Sequence, residues 1–209
     1  MTETTHGLSE QEKEALKFLE RDFNQCFQQM RHYDSQIFDI FKFMFTGYIT
    51  LIGATLGFYK FGLEKNINLN FPVIAVLSIG LVFGLFILAY TVSNRVYFVR
   101  IFRYINEQRK TFLSYEPLGF ANKSEMYIKY SQPAFFNWIS SQAFFIYIIA
   151  FLNSTLLGAL LFIIFASNTC KWVIITPSCL ALFIVQLIVA IYHLKSRENK
   201  SIIKADFTK

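Results

Sequence analysis

The chain has 209 residues, of which 54% are hydrophobic and only 16% charged, against about 25% charged in ordinary soluble domains. Aromatic residues reach 18%, with 25 Phe, which is more apolar surface than a water-soluble fold of this size can hide. A soluble globular protein is excluded, and the net charge of +6 then bears on how the chain is threaded through a membrane.

The opening dozen residues, MTETTHGLSEQE, are polar and acidic, so no cleavable signal peptide is expected there. Ser9 and Glu12 have capping-box spacing and predict a helix start, with Glu10, Glu12 and Glu14 suited to the positive end of the dipole. From Leu16 to Ile40 the apolar residues fall at Leu16, Leu19, Phe23, Cys26, Met30, Tyr33, Ile37 and Ile40, alternating steps of three and four. Phe18, Phe27, Phe38 and Phe41 widen this stripe. Residues 1–42 therefore read as an amphipathic helix that packs either on the chain's own cytosolic helices or in an intermolecular coiled coil. After Lys42 the seam is expected to dissolve, because no charge occurs from Phe43 to Tyr59 and every face turns apolar.

Four apolar spans follow, Phe43 to Phe61, Phe71 to Val92, Gln142 to Ala166 and Trp172 to Leu194, each near the ~20 residues a bilayer demands. They group into two hairpins, residues 43–93 and 142–194, closed by the short polar turns GLEKNINLN and SNTCK. Pro72 sits where a helix start tolerates proline. The predicted fold is all-α: a polytopic membrane protein with four transmembrane helices and a cytosolic helical stalk.

Orientation follows from the cations. Residues 1–42 hold five Lys or Arg, residues 94–141 hold seven and the tail, 195–209, holds five, while the hairpin turns hold only Lys60, Lys65 and Lys171. With an even number of spans, the positive-inside rule places both termini and the middle segment in the cytoplasm of an inner (plasma) membrane.

The middle segment, 94–141, opens with SNRVYFVRIFRYINEQRKTFLS, a predicted helix continuing the second span into water. Phe98, Ile101, Ile105 and Phe112 give it an apolar side, and Arg95, Arg100, Arg103, Arg109 and Lys110 are expected to form a basic cytosolic surface. The helix should break at Pro117 and Gly119. Tyr130, Phe135, Phe136 and Trp138 cluster around Pro133 before the third span, and Trp172 starts the fourth, as headgroup belts require.

Small residues mark candidate helix contacts. Gly53 and Gly57 form one GxxxG, Gly80 and Gly84 another, and Ala150, Ser154 and Gly158 repeat the spacing in the third span. These contacts lie either within one subunit or between subunits of an oligomer. Leucine at Gly53 or Gly84 is expected to disturb assembly or activity while insertion survives.

The interiors of the spans carry no Asp, Glu, Lys, Arg or His, which argues against a pump, a proton-coupled transporter or an intramembrane protease. Asn153 and Gln186, near the middle of the third and fourth spans, either bond each other or line an aqueous path in an oligomer. His6, His32 and His193 are scattered, no GxSxG, HExxH or phosphate-binding glycine loop occurs, and His32 with Asp34 reads as a solvated face. Cys26, Cys170 and Cys179 offer neither a disulfide framework nor metal-ligand spacing. No catalytic residue, cofactor or metal is therefore expected, and the chain is not expected to be an enzyme. The basic residues from Arg95 to Lys110 serve topology and anionic headgroups, and direct nucleic-acid binding needs more than a charge cluster.

The order of elements, a cytosolic helix ending in RHYDSQIFDIFKF, two spans and then the basic helix VRIFRYINEQRKTF, resembles small multi-span proteins of bacterial antiviral defence. These are the SLATT-type and four-span effectors of cyclic-nucleotide defence and the membrane accessory proteins that accompany RNA-guided CRISPR nucleases. The resemblance covers roughly Glu14 to Leu113, and the Phe-, Asn- and Lys-rich usage suits an AT-rich bacterial genome. It implies a homo-oligomer in the lipid bilayer that permeabilises or depolarises the inner membrane once a cytosolic or RNA-guided partner senses infection. A passive scaffold anchoring a soluble partner through the cytosolic helices is the alternative.

Overall fold

A computed structural model describes residues 9–114, 122–123 and 132–205. Four helices appear, α1 (Glu10–Lys65), α2 (Asn70–Leu113), α3 (Ser141–Ile164) and α4 (Lys171–Lys200). The described residues contain no strand. Each helix is long and apolar enough to cross a membrane, which makes the chain an all-α, multi-pass membrane protein.

Local chemistry sets the helix ends. At the start of α1 the Ser9 backbone N–H donates to Glu12 Oε2 at 2.8 Å, and the Glu12 N–H donates back to Ser9 Oγ at 3.3 Å. The Ser9 N–H and, second, the Ser9 hydroxyl, which donates to the same Oε2 at 2.9 Å, hold the Glu12 carboxyl below its ordinary pKa. At the other end of α1, Asn66 takes a left-handed φ of 52° and the Ile67 N–H reaches the Gly62 carbonyl at 3.0 Å. This is a Schellman closure. A Cβ at Gly62 would lie 2.8 Å from the Ile67 carbonyl oxygen, so glycine is required there. Asn68 Oδ1 accepts from Asn70 N–H, Ser140 Oγ caps α3 through the Ala143 N–H, and Asn168 Oδ1 accepts from Cys170 N–H before α4.

The chain divides into two compact units. One comprises Met1–Asp34, Tyr97–Ala134 and Ile203–Lys209, and is called here the paired-helix unit; the other, the span unit, comprises Ser35–Val96 and Phe135–Ile202. In the paired-helix unit the first part of α1 lies on the last part of α2. Phe23 meets Phe112 edge-on at 6.1 Å, Tyr33 stacks on Tyr97 at 6.1 Å, and the predicted seam residues Leu16, Leu19, Cys26 and Met30 are part-covered. Arg103 is 4% exposed, with Nε and Nη2 on the Pro133 carbonyl and Nη1 on the Ile203 carbonyl.

In the span unit α3 and α4 pack along their lengths. The α1 seam does not dissolve after Lys42: Ile37, Met44, Tyr48, Thr55 and Gly62 continue a buried line at steps of seven and four. The expectation failed because hydrophobicity reports burial only where the alternative is water. In lipid the covered and the uncovered faces are equally apolar.

The predicted break at Pro117 and Gly119, together with Tyr130 and Lys129, lies outside the described residues. Phe136 and Trp138 of the predicted aromatic cluster form an edge-to-face pair at 4.9 Å.

Candidate functional site

One hydrogen-bonded cluster joins α1, α3 and α4 inside the span unit, with α2 making room for it. Tyr48 Oη on α1 donates to Asn153 Oδ1 on α3 at 2.5 Å. Asn153 Nδ2 donates to Gln186 Oε1 on α4 at 2.7 Å. Gln186 Nε2 turns to the carbonyls of Leu182 at 3.2 Å and Ala150 at 3.4 Å. From α2 comes Gly84, where a Cβ would fall well inside contact distance of both Tyr48 Oη and Asn153 Oδ1. Glycine is needed because three helices converge on the tyrosine hydroxyl.

Asn153 is 0% exposed and Gln186 5%, so this cluster sits in a low-dielectric interior, where a satisfied amide is stabilising and an unpaired one costly. Each interhelical bond of this kind is worth about 0.6 kcal/mol in a membrane protein, reaching about 1.7 kcal/mol. Of the two options the sequence leaves for Asn153 and Gln186, the structure has the bonded pair, and it adds Tyr48, to which the sequence alone assigns no role. Only its register points to it: Tyr48 lies eleven positions after Ile37, one step of seven and one of four, a spacing that no longer stands out once every face of the helix is apolar.

The other small residues separate into two environments. Gly80 faces Leu51 and Leu156, Gly158 faces Cys179 Sγ, and Ser154 is buried with its hydroxyl on the Ala150 carbonyl at 2.8 Å. All four partners belong to the same chain. Around Gly53 and Gly57, as around Gly47, an added Cβ would meet nothing within 4 Å. Leucine at Gly84 would thus strike the chain's own core, whereas leucine at Gly53 would enter open space, so the two substitutions would act by different routes.

The predicted basic surface also divides. Arg100 and Lys110 are exposed, and Arg109 lies over the Phe23 and Phe27 rings at 5.5 and 5.7 Å. Arg95 and Arg103 are not surface residues: they are 7% and 4% exposed. In the span unit Arg95 Nε donates to the Phe135 carbonyl at 3.0 Å and Nη1 to Gln142 Oε1 at 2.7 Å, while Glu198 Oε2 accepts from the Phe135 N–H. A buried guanidinium is tolerated where carbonyl and amide oxygens replace its water, and here they come from Phe135, before α3, and from Gln142 in its first turn. Charge counts along a sequence cannot distinguish such a clamp from a solvated cation.

Asp22 on α1 accepts from Tyr104 Oη at 2.7 Å and from Gln108 Nε2 at 2.6 Å. The bond to Asp22 favours the neutral phenol and pushes Tyr104 above its ordinary pKa. Cys26 is also raised, first by burial and then by the Asp22 carboxylate, so its thiol stays protonated and poorly nucleophilic at neutral pH. No group of three or more His, Cys, Asp or Glu is placed to hold a metal among the described residues. No protein-family model matches the chain, and neither a curated protein nor a solved structure is significantly similar to it.

Proposed function

We propose that this chain is an oligomeric inner-membrane effector, pore-forming or membrane-depolarising, in bacterial antiviral defence linked to CRISPR or cyclic-nucleotide signalling. The observation that carries self-association is the outward face of α1. At about 100° per residue, Thr46, Thr50, Gly53 and Gly57 fall within about 60° of one another, roughly opposite the buried line of Met44, Tyr48, Thr55 and Gly62. A face of small and hydroxylated residues gains little from lipid but lets a second backbone approach closely.

Two further features support the reading. The polar cluster is closed on itself inside one protomer, so a conducting path would run between copies rather than through one. Both α1 and α2 are unbroken from the apolar spans into the charged segments, which suits an element that passes a cytosolic signal to the spans. Shallow small-residue contacts allow two span packings separated by only a few kcal/mol, as a switch requires.

The test is expression in bacteria with a potential-sensitive dye, beside native electrophoresis of the solubilised protein. The wild type should depolarise the membrane and migrate as an oligomer. The double substitution Gly53→Leu, Gly57→Leu should insert normally, migrate as a monomer and leave the potential intact. A wild-type chain that stays monomeric in lipid overturns the proposal. An unchanged potential with a co-purifying soluble protein would point instead to the passive scaffold.

A further inference from the structure

Within the span unit, α1, α3 and α4 line a laterally open cleft of about 700 Å³, in the ~300–1,000 Å³ range of ligand pockets. Ile52, Leu56, Phe151, Ile175, Leu180 and Phe183 supply much of its wall. Ser154 and Thr155 also line it, yet each hydroxyl is turned back on its own helix, donating to the Ala150 carbonyl at 2.8 Å and the Phe151 carbonyl at 3.0 Å. Thr55 and Tyr59 are the other hydroxyl-bearing residues of a lining that is otherwise almost wholly apolar, so a water, which needs two to four polar partners, is poorly held there. Left empty, a cleft of this size would forfeit dispersion contacts along every wall. What fills it is therefore apolar and comes from the surrounding solvent, which at this depth is hydrocarbon.

One end of the cleft has a distinct chemistry. Phe162 and Trp172 line it with ring centroids 5.9 Å apart, and Lys171 Nζ sits 4.2 Å from the centre of the Phe162 ring. Among the described residues no carboxylate lies within ion-pair distance of Lys171. A cation beside a tryptophan at the end of a greasy cleft matches a lipid phosphate above its acyl chain. We infer that the cleft between α1, α3 and α4 is a binding site for one anionic phospholipid, with an acyl chain along the α3 wall and its phosphate against Lys171. The inference rests on the helices spanning a bilayer and is independent of self-association or conduction.

The test uses the full chain in detergent with Trp138→Phe, leaving Trp172 as the single tryptophan, and traces of phosphatidylglycerol brominated in its acyl chains. Trp172 fluorescence should be quenched saturably at about one lipid per chain. Phosphatidylcholine with the same brominated chains should bind about fivefold more weakly, and Lys171→Gln should erase that preference while leaving quenching. Thr155→Phe plugs the cleft from α3 and should abolish the saturable phase; Leu56→Phe does the same from α1 should the first variant fail to fold. Quenching that rises linearly with lipid and ignores both plugs overturns the site. So does a Cys179-to-Cys179 crosslink between copies in place of quenching, which would show a second chain in the cleft.

Discussion

The first hairpin carries the same four-residue glycine spacing on both of its helices, and the two copies live in opposite surroundings. Gly80 and Gly84 on α2 are crowded by side chains of α1 and α3, and an added methyl at Gly84 would collide with Tyr48 and Asn153. Gly53 and Gly57 on α1 have nothing within 4 Å of the same added atom. In a bilayer, a small-residue motif states that close approach is allowed without stating by what. The crowded copy is accounted for by packing within the chain, and the open copy is the face on which the proposed self-association rests.

The largest expected effect breaks this contrast directly. Gly84→Ala should destabilise the protein by about 3 kcal/mol, combining overpacking with loss of the Tyr48 and Gln186 bonds around Asn153. Gly53→Ala, one methyl in open space within a helix, should not destabilise the protein and should raise its unfolding free energy in detergent by up to about 1 kcal/mol. Equal shifts would dissolve the distinction.

A smaller effect comes from the cluster beneath Gly84. Tyr48→Phe leaves Asn153 Oδ1 without its donor and should cost about 1–2 kcal/mol. In a double-mutant cycle, Tyr48→Phe and Gln186→Leu should be non-additive, because both act through Asn153.

The smallest effect sharpens the comparison with a second tyrosine. Tyr104 also donates across a helix pair, to Asp22, but in an exposed setting, so Tyr104→Phe should cost less than Tyr48→Phe. Because the folded-state pKa of Tyr104 is raised, its contribution is complete below the unfolded tyrosine value of about 10 and is lost as pH rises through the folded value. Unfolding midpoints of wild type and Tyr104→Phe measured from pH 7 to 11 should therefore converge at the alkaline end; a constant gap would remove Asp22 as the cause.

The residues that misled the sequence reading share a physical reason. Arg95 and Arg103 look like surface cations in any linear count, since the carbonyls that hold them belong to Phe135, Pro133 and Ile203, distant in sequence. Tyr48 does not stand out in the sequence, because an aromatic residue inside an apolar run carries no mark of its partner. The heptad seam of α1 was plain up to Ile40, where its other face is charged, and illegible beyond Lys42, where both faces are greasy.

By itself the sequence determined the class: all-helical, four membrane-length apolar stretches, two tight hairpins, a capped first helix and a cation distribution biased to one side. Those properties are local or additive, written in hydropathy, turn residues and charge, and water against oil decides them. The tertiary structure alone decided which glycines are occupied, which arginines are buried and which three polar side chains meet across the spans. These depend on which helix face meets which, and among faces equally soluble in lipid only the fit of side chains selects.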